Sequence, residues 1–163
     1  MSYAIEIPEI KVDVKSVMDF VLALPEDSWT PESGSHGLIH EWQWQHHPEF
    51  IRLKSQHFVG VPHSLGVAQF KPKRGQSVHV DRNRTVVVQF PLSENCKFTP
   101  TAFYNNNLSF LSEVHWDSTA WMFDSKIWHG SWNTDTEFRY MLTWSFFAPV
   151  TFKELSNQFH LNS

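Results

Sequence analysis

The sequence predicts a mainly β domain, built as a sandwich or a small barrel. Three observations lead there. From residue 76 onward, short segments rich in β-branched and aromatic residues follow one another, separated by polar turns. The aromatic content is high, with 14 Phe, 8 Trp and 3 Tyr, most of them in the second half. Large aromatic side chains favour strands and fill the interior of a small barrel. The last segment, 137–147, alternates without becoming amphipathic. Phe138, Tyr140, Leu142, Trp144 and Phe146 share one face, and Arg139, Met141, Thr143 and Ser145 the other. Neither face is plainly solvated, so both must be covered.

The elements follow in chain order. Residues 3–7 alternate weakly and fit an edge strand. Asp13 is a helix N-cap, followed by Val14, Val17, Met18, Val21 and Leu22 at helical spacing, and Pro25 closes the segment. This helix is expected to cover the larger apolar face of 137–147, leaving the Arg139 face to look into the barrel. Residues 25–37 contain Pro25, Pro31, Gly34 and Gly37 among polar residues and predict a loop. Residues 38–44 alternate as a strand, broken by His46, His47 and Pro48. The stretch 49–75 is mixed, with short apolar pieces at 58–59 and 67–70. Strands are expected at 76–81, 85–90, 101–104, 113–116, 119–123, 127–132 and 137–147. Asn105, Asn106 and Asn107 make one turn, and Asn133, Thr134 and Asp135 another. A short helix over 151–159 ends the chain. No repeat, low-complexity tract or linker interrupts it.

Bulk properties narrow the class. A length of 163 residues suits one domain, 1–163, and 41% hydrophobic with 18% charged residues is an ordinary globular balance. A net charge of −4 supplies no general attraction to nucleic acid or acidic membranes. One cysteine, Cys96, rules out an internal disulfide and points to a reducing, cytoplasmic setting. Glu6, Glu9, Asp13 and Asp19 interrupt residues 1–24, which do not read as a secretory signal. No apolar run approaches the length of a bilayer span. The chain has ten histidines, so a lone histidine says little.

One spaced set of residues says more: His79-x-Asp81, then His129, then Arg139. In a strand, residues two apart share a face, so His79 and Asp81 project together, with Val80 opposite. His129 arrives from a distant strand, followed by Gly130, which has no side chain to obstruct it. Two imidazoles and one carboxylate on one side of an iron(II) ion leave positions open for small ligands and dioxygen. Arg139 follows His129 by ten residues and offers a planar fork of donors suited to a carboxylate. A hairpin across 133–136 would set Arg139 deeper in the barrel than the metal.

This pattern resembles the iron(II)- and 2-oxoglutarate-dependent oxygenases, whose signature is His-x-Asp, a distal His, and an Arg or Lys about ten residues later. Met122-Phe123-Asp124-Ser125 before Trp128-His129-Gly130, and Arg139-Tyr140-Met141-Leu142, also resemble that family. The resemblance covers about residues 67–148, the expected barrel core, and points to compact phage and bacterial members and to prolyl- or aspartyl-hydroxylase-like groups. It implies a double-stranded β-helix, a jelly roll of eight strands, with a supporting N-terminal helix. It implies Fe(II) held by His79, Asp81 and His129 as the catalytic set, and 2-oxoglutarate paired with Arg139. It implies hydroxylation of a peptide residue or small metabolite by dioxygen. Ser145 stands where nucleic-acid-demethylating members carry a second arginine, which argues against that subgroup. A second His-x-Asp, His115 and Asp117, lies close before His129 and is the lesser candidate for the pair.

Each residue also has an ordinary reading. The histidines can be strand residues with backbone partners, Asp81 a turn cap, and Arg139 a surface partner of Glu137 or Asp135. Tyr104 either hydrogen-bonds the cosubstrate or closes the core. Arg84, within the basic group Lys71, Lys73, Arg74 and Arg82, either contacts substrate at the entrance or belongs to a solvated loop. Trp128, with Trp121 and Trp132, is expected to wall the site and touch substrate. Two other functions fit parts of the pattern. One is a cupin-like metalloenzyme that needs His79, Asp81 and His129 but no 2-oxoglutarate. The other is a non-catalytic aromatic-rich β-sandwich that binds a glycan or protein.

Overall fold

A computed structural model describes residues 3–160. Its strands are β1 (Ala4–Ile7), β2 (Thr30–Ser33), β3 (His36–Ile39), β4 (His63–Phe70), β5 (Arg74–His79), β6 (Arg84–Pro91), β7 (Thr101–Tyr104), β8 (Phe110–Val114), β9 (Ala120–Asp124), β10 (Trp128–Asn133) and β11 (Arg139–Phe147). Its helices are α1 (Val14–Ala23), α2 (Glu41–Trp44), α3 (Pro48–Gln56) and α4 (Phe152–His160). The strands form two antiparallel sheets. The larger has the order β1-β9-β6-β11-β4-β3-β2, and the smaller β5-β10-β7-β8.

Strand alternation builds three layers. Val86, Val88 and Phe90 of β6 and Leu142, Trp144 and Phe146 of β11 face outward from the large sheet. They pack with Val17 and Val21 of α1, Phe50 and Leu53 of α3, and Phe152 and Leu155 of α4. The opposite face of the same strands gives Val87 and Met141, which join Ala68, Phe70 and Phe123 against Phe103 and Val114 of the small sheet. Burying one such aliphatic or aromatic side chain stabilises the fold by about 1.5–3 kcal/mol. The two-faced burial expected of 137–147 is therefore what β11 shows, with the N-terminal helix on the expected side. Asp13 caps α1, its side chain accepting from the Ser16 amide at 3.1 Å.

The N-terminal third departs from the sequence expectation. Residues 25–37 hold a strand, β2, that pairs with β3 and extends the large sheet. The alternation over 38–44 does not continue as a strand. After Ile39 the chain turns into α2, because His40 and Gln43 form a capping box and Trp44 is drawn inward to donate Nε1 to the Leu65 carbonyl at 3.0 Å. His47 and Pro48 begin α3 rather than a break. Proline occupies the first turn, and the His47 ring accepts from the Glu49 amide at 3.1 Å. No helix among the described residues is long and apolar enough to cross a membrane.

Candidate active site

β5 and β10 are antiparallel neighbours, and His79 and His129 are directly opposed, with ring centroids 4.6 Å apart. Each ring is pinned the same way. His79 Nδ1 lies 2.7 Å from the Ser77 carbonyl, and His129 Nδ1 lies 2.7 Å from the Ile127 carbonyl. A carbonyl only accepts, so both Nδ1 atoms carry the proton and both Nε2 atoms are left with a lone pair. Burial lowers the His129 pKa and keeps that ring neutral.

Asp81 completes the group from just beyond the end of β5, not from within a strand as expected. Its amide donates to the Ser125 carbonyl at 3.0 Å. Lys126 Nζ donates to the carbonyls of Asp81 and Arg82 at 2.7 and 2.9 Å. The segment is thereby tied to the turn before β10. Asp81 Oδ1 lies 3.3 Å from His79 Nε2 and 3.8 Å from His129 Nε2. Burial alone would raise the Asp81 carboxyl. The His79 hydrogen bond and the positive charge of Arg84 outweigh it, and the carboxyl is held below its ordinary range.

One ligand atom from each of His79, Asp81 and His129 lies within 4.8 Å of the others. Donor atoms about 2 Å from a shared metal stand about 3 Å from one another. Two lone pairs and an anionic oxygen converging at this spacing fit a divalent cation. The adjoining Asp81 carboxylate raises the His79 pKa, so a proton and a cation compete for the Nε2 lone pair. Phe123 and Phe103 shield His129, with ring centroids at 5.4 and 6.2 Å. His115 is not part of this group and pairs with Glu113 at 2.9 Å.

Arg139 is not across a hairpin from His129. β10 belongs to the small sheet and β11 to the large one, so the chain crosses the sandwich between them. The crossing is fixed by buried Asn133, whose Nδ2 faces the carbonyls of Phe70, Lys71 and Glu137 at 3.1, 3.2 and 2.9 Å. Arg139 then reaches back across the interior. Its Nη2 donates to Ser131 Oγ at 3.1 Å, and its Nη1 donates to Thr99 O and Oγ1 at 3.0 and 2.9 Å. Ser131 lies two residues beyond His129 on the same face of β10, so the guanidinium ends about 7 Å along that face from the metal group.

Arg139 is 2% exposed and has no ion pair with an acid among the described residues. Its Nε has no hydrogen-bond partner, and Phe70 lies beneath it, 4.2 Å from Cζ to the ring centroid. Burial pushes its pKa down to about 10. It remains a cation without an anion, which excludes the surface pairing with Glu137 or Asp135. A cleft of about 660 Å³ opens beside the metal group, with Phe70, Gln76, His79, Asp81, Arg84 and Thr143 on its walls.

Other expected residues are placed differently. Arg84 lies at the cleft, with Nη2 2.8 Å from Asp81 Oδ2, but off the line of a good hydrogen bond. Tyr104 and Trp128 are opposed across β7 and β10, one residue out of phase with Phe103 and His129. Alternation turns both away from the metal group, and Tyr104 packs instead with exposed Phe110. Trp132, also out of phase, is 56% exposed and covers Gly75, where a Cβ would fall 2.2 Å from its ring. Phe70, Phe103 and Phe123 make the aromatic shell in place of the tryptophans. Sequence reasoning missed Ser131, Thr99, Asn133 and Phe70. Ser131 was findable by its spacing from His129. Thr99 follows a short 3-10 segment, 94–98, with no such signal.

No protein-family model matches this sequence, and no curated protein matches it. Solved structures do. A prolyl-4-hydroxylase of Pseudomonas putida is 12% identical, with 88% of this chain and 91% of that one aligned at a TM-score of 0.58. A 2OG-Fe(II) oxygenase family oxidoreductase of Burkholderia pseudomallei is 8% identical, over 87% and 82%, at 0.62. HygX of Streptomyces hygroscopicus, solved with nickel, 2-oxoglutarate and hygromycin B bound, is 12% identical, over 91% and 84%, at 0.61. The two sheets, the opposed His79 and His129 and these alignments together give the chain the jelly-roll fold of the 2-oxoglutarate- and iron(II)-dependent oxygenases.

Proposed function

We propose that residues 1–163 form one oxygenase domain that uses Fe(II), 2-oxoglutarate and dioxygen to hydroxylate a small molecule or a peptide residue, in a reducing cytoplasm. One observation carries this reading. A three-acceptor metal group and a buried arginine with no anion meet the same face of β10, the one at His129 and the other at Ser131. A dicarboxylate that reaches from one to the other satisfies both.

Iron(II) with 2-oxoglutarate supplies the oxidising power to hydroxylate an unactivated carbon with dioxygen. The chain's own groups set the conditions. His79 and His129 present Nε2, and Asp81 presents Oδ1. Arg139 receives the far carboxylate of the cosubstrate, held ready by Thr99, Ser131 and Phe70. Phe103 and Phe123 keep water from the His129 side. A buried cation awaiting its anion also favours the 2-oxoglutarate reading over a cupin-like enzyme that does without it, since such an enzyme has no use for this arginine. The peptide alternative draws support from the prolyl-4-hydroxylase likeness, and the small-molecule alternative from the HygX likeness.

The test is an anaerobic titration. The Fe(II)-loaded protein is expected to develop a weak visible charge-transfer band on addition of 2-oxoglutarate. His129→Ala is expected to lose the metal and the band together. Full metal binding by that variant, or no band from the wild type, removes the assignment.

A further inference from the structure

Arg139, Met141, Thr143 and Ser145 share the inner face of β11. Toward its C-terminal end this face turns polar. Thr143 pairs with Gln89 of β6 on one side and Gly66 of β4 on the other, and Ser145 pairs with Val87 and Ser64. The inner face of a sandwich ordinarily carries apolar side chains here. Departures from that pattern concentrate where a protein meets a ligand.

These side chains leave hydrogen-bonding capacity open. Thr143 is 4% and Ser145 9% exposed, yet both line the cleft beside Gln89, His79 and Asp81. Gln89 Nε2 donates to Thr143 Oγ1 at a long 3.4 Å. Among the described residues, Ser145 Oγ and Gln89 Oε1 engage in no hydrogen bond. Neither atom is sealed in the core, and Gln89 is only half-buried, so this capacity faces the cleft and is open to a bound group. None of the three carries a formal charge, so the floor suits neutral groups that both donate and accept. Thr143 and Ser145 stand about 7 Å apart along the strand, and Gln89 lies one strand away.

We propose that the Gln89, Thr143 and Ser145 floor recognises the primary substrate through neutral hydroxyl or carboxamide groups, so that the enzyme oxidises a polar substrate rather than an apolar ring or chain. This rests on the oxygenase reading, which assigns Arg139, at the other end of the same β11 face, to the cosubstrate. It leaves the three polar residues to whatever is oxidised. The polar group can belong to a free metabolite or to an asparagine-like side chain in a peptide.

The experiment uses zinc-loaded protein with 2-oxoglutarate and measures binding by saturation-transfer NMR with two matched pairs. One pair is myo-inositol against cyclohexanol. The other is the blocked tripeptide Ala-Asn-Ala against Ala-Leu-Ala. The polar member of at least one pair is expected to bind about tenfold more tightly than its partner, and which pair responds identifies the source. Thr143→Val, which keeps the shape, is expected to erase that preference while 2-oxoglutarate affinity and the melting temperature stay at wild-type values. Equal binding of both members, no binding of either, or an undiminished preference in Thr143→Val overturns the proposal. Failure of 2-oxoglutarate itself to bind is a separate result that strikes the oxygenase reading. The matched pairs then still test the floor in its absence.

Discussion

Arg84 Nη2 stands 2.8 Å from Asp81 Oδ2, while Asp81 Oδ1 faces the two histidines. The carboxylate is thereby divided, with one oxygen held by a cation of the chain and the other free for a metal. Arg84 is better placed to position Asp81 than to receive a substrate anion. Groups that orient a metal ligand typically contribute 10–100-fold to affinity. Arg84→Met should weaken metal binding by about tenfold or more, with Arg84→Lys recovering part of the loss. Competition against a chelating indicator reads this without any turnover.

Arg139 allows a sharper separation of stability from function. A buried cation with no carboxylate beside it is costly to desolvate, and that cost offsets the three hydrogen bonds it donates to Thr99 and Ser131. Arg139→Met should leave the melting temperature of the ligand-free protein unchanged or raised. The same change should weaken 2-oxoglutarate by at least about 30-fold, because the far carboxylate loses a buried charge partner. Thermal shift with and without 2-oxoglutarate tests both halves. A large fall in ligand-free stability would make Arg139 a structural residue.

The second half of the chain was legible because β-branched and aromatic segments there are separated by polar turns, and the spacing of His79, Asp81 and His129 marked the metal group. Strand parity turns Trp128 and Tyr104 outward, one residue out of phase with His129 and Phe103, and aromatic character carries no information about parity. The region before residue 75 was harder. His40 with Gln43, and His47 with Pro48, are helix starts, but histidine is an uncommon cap and the helices are short. Tertiary contacts, such as Trp44 with the Leu65 carbonyl, decide them. The position of Arg139 could not be read locally. Ten residues from His129 suits a hairpin as well as a crossing between sheets, and the choice depends on where Asn133 finds its carbonyls.

Acid stability should depend on histidines outside the metal group. Burial lowers the pKa of His57 and His63 from the ordinary 6.5. His63 stacks among Phe58 and Phe146, and its Nε2 is buried without a partner. A folded-state pKa below the unfolded value means that the unfolded chain takes up protons first. Their contribution is therefore intact above about pH 6.5 and is lost as pH falls from there toward the lowered folded-state pKa. Denaturant unfolding of His63→Phe across this range should show a shallower decline than the wild type. An identical slope would place the acid sensitivity elsewhere.

Asn133 offers the most stringent check on how the site is assembled. Its Nδ2 faces three backbone carbonyls, and its Oδ1 accepts from the Asp135 amide at 3.2 Å. Asn133→Asp preserves the shape but replaces the donor with an oxygen turned toward those three acceptors. Buried as it is, the substituted carboxylate must either stay charged against them or take up a proton, and both are costly. The expected loss is about 3 kcal/mol of stability by chemical denaturation, easing at low pH as the new carboxyl protonates. Because Asn133 fixes where the chain crosses from β10 to β11, 2-oxoglutarate affinity should fall with it while metal affinity, set by residues 79–81 and 129, is retained. Loss of metal and 2-oxoglutarate in equal measure would show that the crossing and the metal group are not separable.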